Sequence, residues 1–251
     1  MPPSETKRSG GTGPELALDA LSFASLTALR RGVVDAVQKL SADEAESARA
    51  LKLGAKAAAV EVARNRELTL SPTMPAVERY TGVLFDALAV HEWQADARAR
   101  ASAHIMVHSA LFGLLSADDP IPAYRLSHDS RLPGLRLRAH WAEANTAVLQ
   151  SIDAPLIDLR SAGYAALGPL PGRDNAAVVT VVAIGADGVV RALNHFNKKG
   201  KGDWVKALLS AGPLPESIDS LCAVSNDLDW PLRRLDDRTL ELVVPGVLPP
   251  G

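Results

Sequence analysis

The residues best suited to chemistry stand in Asn194-His-Phe-Asn-Lys198-Lys-Gly-Lys201-Gly202-Asp-Trp204. An apolar β-type run ends there, lysines and glycines follow, and a helix-forming segment begins near Asp203. Such a strand-to-helix junction gathers anions, because open backbone N–H groups, the positive helix end and ammonium groups converge. The spacing is not that of a P-loop. A flexible basic turn would account for the lysines alone; the glycines directly before a helix favour an anion site at Lys198, Lys201 and Gly202.

A second candidate is Leu51-Lys-Leu-Gly-Ala-Lys56. It lies between two helical patterns and is similar to the turn of a helix-hairpin-helix unit, whose small residues expose backbone N–H groups to a nucleic-acid phosphate. Lys52 occupies the place of the usual first glycine. A plain helical hairpin capped by Gly54 accounts for the same residues.

Other spacings carry less. Ser4-Glu-Thr-Lys7 matches the Ser-x-x-Lys of penicillin-interacting enzymes, yet it follows two prolines and has no Lys-Thr-Gly partner, so it reads as a structural arm. His104 and His108 would share a face on a helix, but the Ile-Met-Val between them favours a strand, where they stand about 13 Å apart. His91-Glu92 lacks the second histidine of a zinc-protease helix. Asp118-Asp119, before Pro120, reads as a turn. No metal and no cofactor is assigned.

The totals set the bounds. With 27 Lys and Arg against 29 Asp and Glu, overall charge gives no reason to infer a nucleic-acid partner, so any such binding is local. Basic residues gather at Lys7-Arg8, Arg30-Arg31, Arg131 to Arg138 and Lys198 to Lys206; the first three groups read as solvated faces. The single cysteine, Cys222, fits a reducing compartment. The start Met1-Pro-Pro-Ser-Glu5 does not resemble a signal peptide, and no run of about 18 apolar residues could span a membrane. A cytoplasmic protein without a membrane partner or an evident obligate protein partner is expected.

The elements that must position these residues are those of one mixed α/β domain over residues 1–251, a mixed sheet flanked by helices. Leu26, Leu29, Val33, Val37 and Leu40 recur at helical spacing. Ser41-Ala-Asp-Glu44 reads as a capping box opening a helix that stops at Gly54, and a third helix covers 55–66. Helices follow near 83–90, 93–103, 141–152 and 203–209. Strands are expected at 104–109, 156–159, 178–184, 189–196 and 240–244, the third and fourth pairing antiparallel across Gly185-Ala-Asp-Gly188.

Five segments, in this order, resemble the bacterial YaaA family of peroxide stress response proteins, in versions similar to those of high-GC actinobacteria. They are Pro2-Pro-Ser-Glu-Thr-Lys7-Arg-Ser-Gly-Gly11, Arg79-Tyr-Thr-Gly82-Val-Leu-Phe-Asp86, Ser109-Ala-Leu-Phe-Gly113, Ile121-Pro-Ala-Tyr124-Arg125-Leu126 and His195-Phe-Asn-Lys198-Lys-Gly-Lys201-Gly202. The resemblance implies a compact α/β domain with a helix-hairpin-helix element and a positively charged cleft. It also implies DNA binding and a role in limiting iron-dependent peroxide damage. It places Lys198, Lys201, Thr81, Gly82, Tyr124 and Arg125 in that cleft. Three departures stand out: the chain begins at Met1-Pro2 where family members carry an apolar strand, Ser127 stands where many have glutamate, and Lys52 replaces the hairpin glycine.

The first expectation is therefore a peroxide stress protein that binds DNA through Lys198 and Lys201, with Lys52, Lys56 and Arg125 contributing. The alternative is an enzyme acting on a nucleotide-like or phosphorylated small molecule, with Lys198 polarising it and Tyr124 moving a proton. Direct iron storage ranks last, since no chelating constellation is visible.

Overall fold

A computed structural model describes residues 1–184, 190–192 and 196–244. In chain order its α-helices are α1 (Thr27–Leu40), α2 (Glu44–Ala50), α3 (Ala55–Arg66), α4 (Ala76–Arg79), α5 (Val83–Leu88), α6 (Ala95–His104), α7 (Leu137–Gln150), α8 (Ala162–Ala165), α9 (Phe196–Ala211) and α10 (Ile218–Asp227). Its strands are β1 (Met74–Pro75), β2 (Met106–Ser109), β3 (Gly113–Ser116), β4 (Pro120–Ile121), β5 (Leu156–Asp158), β6 (Ala176–Ile184), β7 (Val190–Ala192), β8 (Leu232–Asp236) and β9 (Thr239–Val244). The expected mixed α/β class is what the chain adopts. The chain divides into two compact units, the first built from Met1–Thr81, Ser102–Ser151 and Arg160–Pro169. The second holds Gly82–Ala101, Ile152–Leu159 and the described residues from Leu170 onward.

In the first unit the apolar stripe of α1 buries Val33, Val34, Val37 and Leu40. Strands β2 and β3 form an antiparallel hairpin, with Ser109 opposite Gly113. Its turn closes on a side chain: Ser109 Oγ accepts hydrogen bonds from Leu111 N and Phe112 N, both at 3.0 Å. Gly113 sits at φ 67°, and a Cβ there would meet Asn145 and Trp141, so glycine is required twice over. Trp141 of α7 is fully buried and donates to Ala110 O at 2.9 Å.

The second unit is a sheet in the order β5-β6-β9-β8, with β7 also paired to β6. Strand β6 runs parallel to β5 and β9 and antiparallel to β7, which bears out the pairing expected from the two β-rich runs. The turn assigned to 185–188 lies outside the described residues. Helix α9 packs on α5 and on β6, and Trp204 is buried there with its indole donating to Ser225 Oγ at 3.0 Å.

Several expectations change. Ser41 does not open α2. It follows the last turn of α1, where its hydroxyl donates to Val37 O at 2.8 Å, and Asp43 caps α2 instead by accepting from Glu46 N at 2.8 Å. A serine at the end of one helix is already committed to that helix's open carbonyls. His104 ends α6 while His108 lies on β2, so the two do not share one strand. The helix expected at 203–209 begins at Phe196, seven residues earlier. Glycine costs about 1 kcal/mol inside a helix, and here that cost is offset by packing: a Cβ on Gly200 would strike Val244, and one on Gly202 would sit 2.3 Å from Leu84 O.

Candidate anion-binding sites

Within the first unit, α2 and α3 pack as a hairpin whose tip is Lys52. Lys52 adopts φ 56°, the left-handed conformation that glycine would hold without strain. An α-helix leaves its first N–H groups without intrahelical acceptors, and at the start of α3 the residues Ala55 and Lys56 are exposed. Two exposed lysines four residues apart, Lys52 and Lys56, thus lie at the start of this helix. The Lys52 side chain pairs with Asp129, which also accepts from Ser127 Oγ at 2.8 Å. These two partners hold the Asp129 carboxyl at about 2, well below the usual carboxylate range. Arg131 N donates to Ala50 O at 3.0 Å, which fastens the 127–131 loop to the hairpin and brings an exposed arginine beside it.

The segment assigned to a structural arm proves to be a polar centre. Lys7 is 7% exposed, and its ammonium donates to Ser4 O at 3.0 Å and Glu5 O at 3.3 Å. It lies 4.1 Å from the centroid of the Tyr124 ring and 5.4 Å from that of Tyr80. Burial, then the charge of Arg125, lowers the amine from 10.5 to about 7. Arg125 pairs with Glu5, and its main chain is clamped by Asn65, which accepts from Arg125 N and donates to Arg125 O, both at 2.8 Å.

Tyr124 is part of an ordered hydroxyl chain. Ser109 Oγ accepts two backbone N–H bonds, so its own hydrogen goes to Tyr124 OH at 2.7 Å, and Tyr124 in turn donates to Tyr80 OH at 2.7 Å. Burial raises both phenols, so Tyr124 and Tyr80 are neutral donors. Thr81 ties the same region to the arm, with Thr81 N donating to Thr6 O and Thr6 Oγ1 to Thr81 O, each at 3.1 Å. Gly82, at φ 98°, caps α5 in the second unit. The signal that could have found Lys7 is the alternation Glu5, Lys7, Ser9 in an extended arm, which turns the three side chains to one side.

The lysines expected at an open turn lie inside α9. Lys201 is 7% exposed and donates to Leu159 O at 3.1 Å; burial lowers it from 10.5 to about 8, partly opposed by the charge of Asp158. Lys199 pairs with Asp203 at 2.6 Å. Lys198 is exposed, and Gly202 lies against α5. Removing the buried lysine should therefore matter more: Lys201→Ala is expected to cost about 1–2 kcal/mol through lost stem packing and an orphaned carbonyl. Lys198→Ala should stay within about 0.5 kcal/mol. Urea unfolding of the two variants checks this, and equal midpoints would refute it.

The sequence-derived site residues thus divide between the units, with Lys52, Lys56, Thr81, Tyr124 and Arg125 in the first and Gly82, Lys198, Lys201 and Gly202 in the second. Among the described residues no group of three His, Cys, Asp or Glu could hold a metal ion. His108 has Arg160 Nη1 at 2.5 Å and Asn145 Nδ2 at 2.9 Å from its two ring nitrogens. Burial raises the Cys222 thiol, away from reactivity, against the smaller pull of Arg234.

Residues 1–227 match the family model described as peroxide stress protein YaaA. The chain belongs to that family. It is 40% identical over 216 residues to a UPF0246 protein of Corynebacterium efficiens, covering 84% of each chain. It is 39% identical over 233 residues to a UPF0246 protein of Streptomyces coelicolor, covering 92% of this chain and 89% of that one. A UPF0246 protein of Bacteroides thetaiotaomicron is 33% identical over 132 residues, 51% of this chain and 48% of that one. The YaaA resemblance read from the five segments is therefore borne out, with actinobacterial relatives. No described helix is long and apolar enough to cross a membrane.

Proposed function

We propose that this YaaA-family chain acts in the cytoplasm in the peroxide stress response, binding the DNA backbone through the α2–α3 hairpin and so limiting iron-dependent damage there. The observation that carries the reading is the exposed pair Lys52 and Lys56 at the open N-terminus of α3, with Arg131 alongside. Ammonium groups and helix N–H groups together suit a phosphate. Ferrous iron held on a phosphate converts peroxide to hydroxyl radical beside the sugar; a phosphate occupied by lysine no longer holds that iron. Lys198, exposed on α9, is suited to a further phosphate, whereas Lys201 and Gly202 serve the packing of their helix.

The test is the salt dependence of duplex binding. Each lysine–phosphate pairing that is removed lowers the slope of log affinity against log salt by about 0.9. The double variant Lys52→Ala/Lys56→Ala should flatten it by about two units while the fold persists, because an exposed ion pair such as Lys52–Asp129 contributes at most about 1 kcal/mol. An unchanged slope would remove the hairpin from the DNA reading.

A second reading, an enzyme acting on a phosphorylated or nucleotide-like small molecule, is favoured by the buried Lys7 beside Tyr124 and Arg125. Turnover of any member of a nucleotide panel, abolished in Lys7→Met, would put that reading first.

A further inference from the structure

We propose that Lys7, Arg64 and Arg125 form a binding site for a phosphate-sized dianion, one side of which is occupied by the chain's own Glu5 carboxylate. The site is separate from the hairpin, and it stands or falls independently of the DNA reading. Its geometry follows from the extended arm: Glu5 reaches Arg125, Lys7 lies over the Tyr124 ring, and Ser9 Oγ accepts from Arg64 Nη2 at 2.6 Å. Three cations from three stretches of sequence thus meet along one short length of backbone.

Charge and hydrogen bonding favour an added anion. Lys7, Arg64 and Arg125 supply three positive charges, against which stand Glu5 and Glu61, the latter paired with Arg64 at 2.7 Å. With Glu5 turned outward the balance is two positive charges, the complement of a phosphate monoester dianion. Two buried atoms here have no hydrogen-bond partner among the described residues, the donor Arg125 Nε and the acceptor Glu61 Oε2. A phosphoryl oxygen satisfies the first, and a hydroxyl on the same ligand satisfies the second. Glu5 is 55% exposed while Arg125 is 17% exposed, so the carboxylate can leave toward solvent and the guanidinium stays in place. An incoming dianion also restores the charge of Lys7, which burial and Arg125 disfavour in its absence.

The experiment titrates the full chain with inorganic phosphate by calorimetry, then with a nucleoside 5′-monophosphate and with a short oligonucleotide bearing or lacking a 5′-phosphate. Glu5→Gln removes the internal competitor without touching the cations, and is expected to tighten phosphate binding about threefold to tenfold. Measured in the Lys52→Ala/Lys56→Ala background, which removes the hairpin as a second phosphate site, Arg125→Gln should weaken binding at least tenfold, its fold checked by circular dichroism. A monophosphate that binds as tightly as the phosphorylated end identifies a small-molecule ligand; binding of the phosphorylated end alone identifies a nucleic-acid terminus. Either outcome supports the site. Absence of phosphate binding by both the parent chain and Glu5→Gln at millimolar concentration overturns it, as does binding that survives Arg125→Gln.

Discussion

Replacing Arg30 by alanine is expected to cost about 3–5 kcal/mol, enough to unfold much of a marginally stable protein. Arg30 is 0% exposed, and its guanidinium donates to Phe112 O at 2.8 Å and Leu114 O at 2.7 Å, with Leu21 O at 3.5 Å. It thereby joins α1 to the β2–β3 hairpin. Truncation would strand two buried carbonyls and leave a void the length of the side chain. Burial lowers Arg30 to about 10, with Asp119 pulling the other way, so it remains charged at neutral pH. Urea denaturation is the measurement, and a loss below about 1 kcal/mol would show that water or a neighbour replaces the guanidinium. A companion variant, Arg30→Lys, should recover part of the loss by reaching one of the carbonyls.

The second large effect is a rise in stability with pH, traceable to Lys7. Its folded value lies near 7 against 10.5 for the free side chain. Below about pH 7 both states carry the proton, and the folded state bears the full cost of the buried charge. Between 7 and 10.5 the unfolded chain holds more protons than the folded one, so stability increases with pH. The full shift would contribute about 5 kcal/mol; the carbonyls of Ser4 and Glu5 and the tyrosine faces favour the ammonium and reduce this to about 2–3 kcal/mol. Lys201, lowered to about 8, adds to the rise in its upper part. Above pH 10 the buried tyrosines reverse the trend, because Tyr80, Tyr124 and Tyr164 all ionise later in the folded state. Denaturant midpoints from pH 6.5 to 9.5 should therefore climb in the parent chain and climb much less in Lys7→Met. Parallel profiles would mean that Lys7 keeps its proton throughout.

Both effects arise from residues whose neighbours in sequence gave no sign of burial. Lys7-Arg8 and Arg30-Arg31 read as solvated basic pairs, and in each one member is buried while the other is exposed. A long cationic side chain is buried where several backbone carbonyls converge on it, and those carbonyls come from residues as distant as Phe112 and Leu114.

Helical and strand periods, by contrast, were legible locally. The stripe from Leu26 to Leu40, the alanine-rich run of α3, the β-rich segment ending at Ile184 and the strand ending at Val244 all follow from side-chain spacing that repeats within one element. The YaaA family was legible too, because its five segments keep their order along the chain. The hairpin at Lys52 was placed correctly between its helices, although its conformation, φ 56° on a lysine, depends on a loop held at Asp129.

What the sequence could not decide was which charges face water. Glycines in Lys198-Lys-Gly-Lys201-Gly202 lower helix propensity, and taken alone they specify a turn. In the folded chain the same absence of side chains lets α9 approach Leu84 O and Val244, and the close packing that results outweighs the weaker propensity. The sequence by itself thus determined the element types and the family. Tertiary packing decided that Lys201, on α9, is buried with its ammonium on Leu159 O and that Lys7 is buried against Tyr124, because burial depends on atoms brought together from far along the chain.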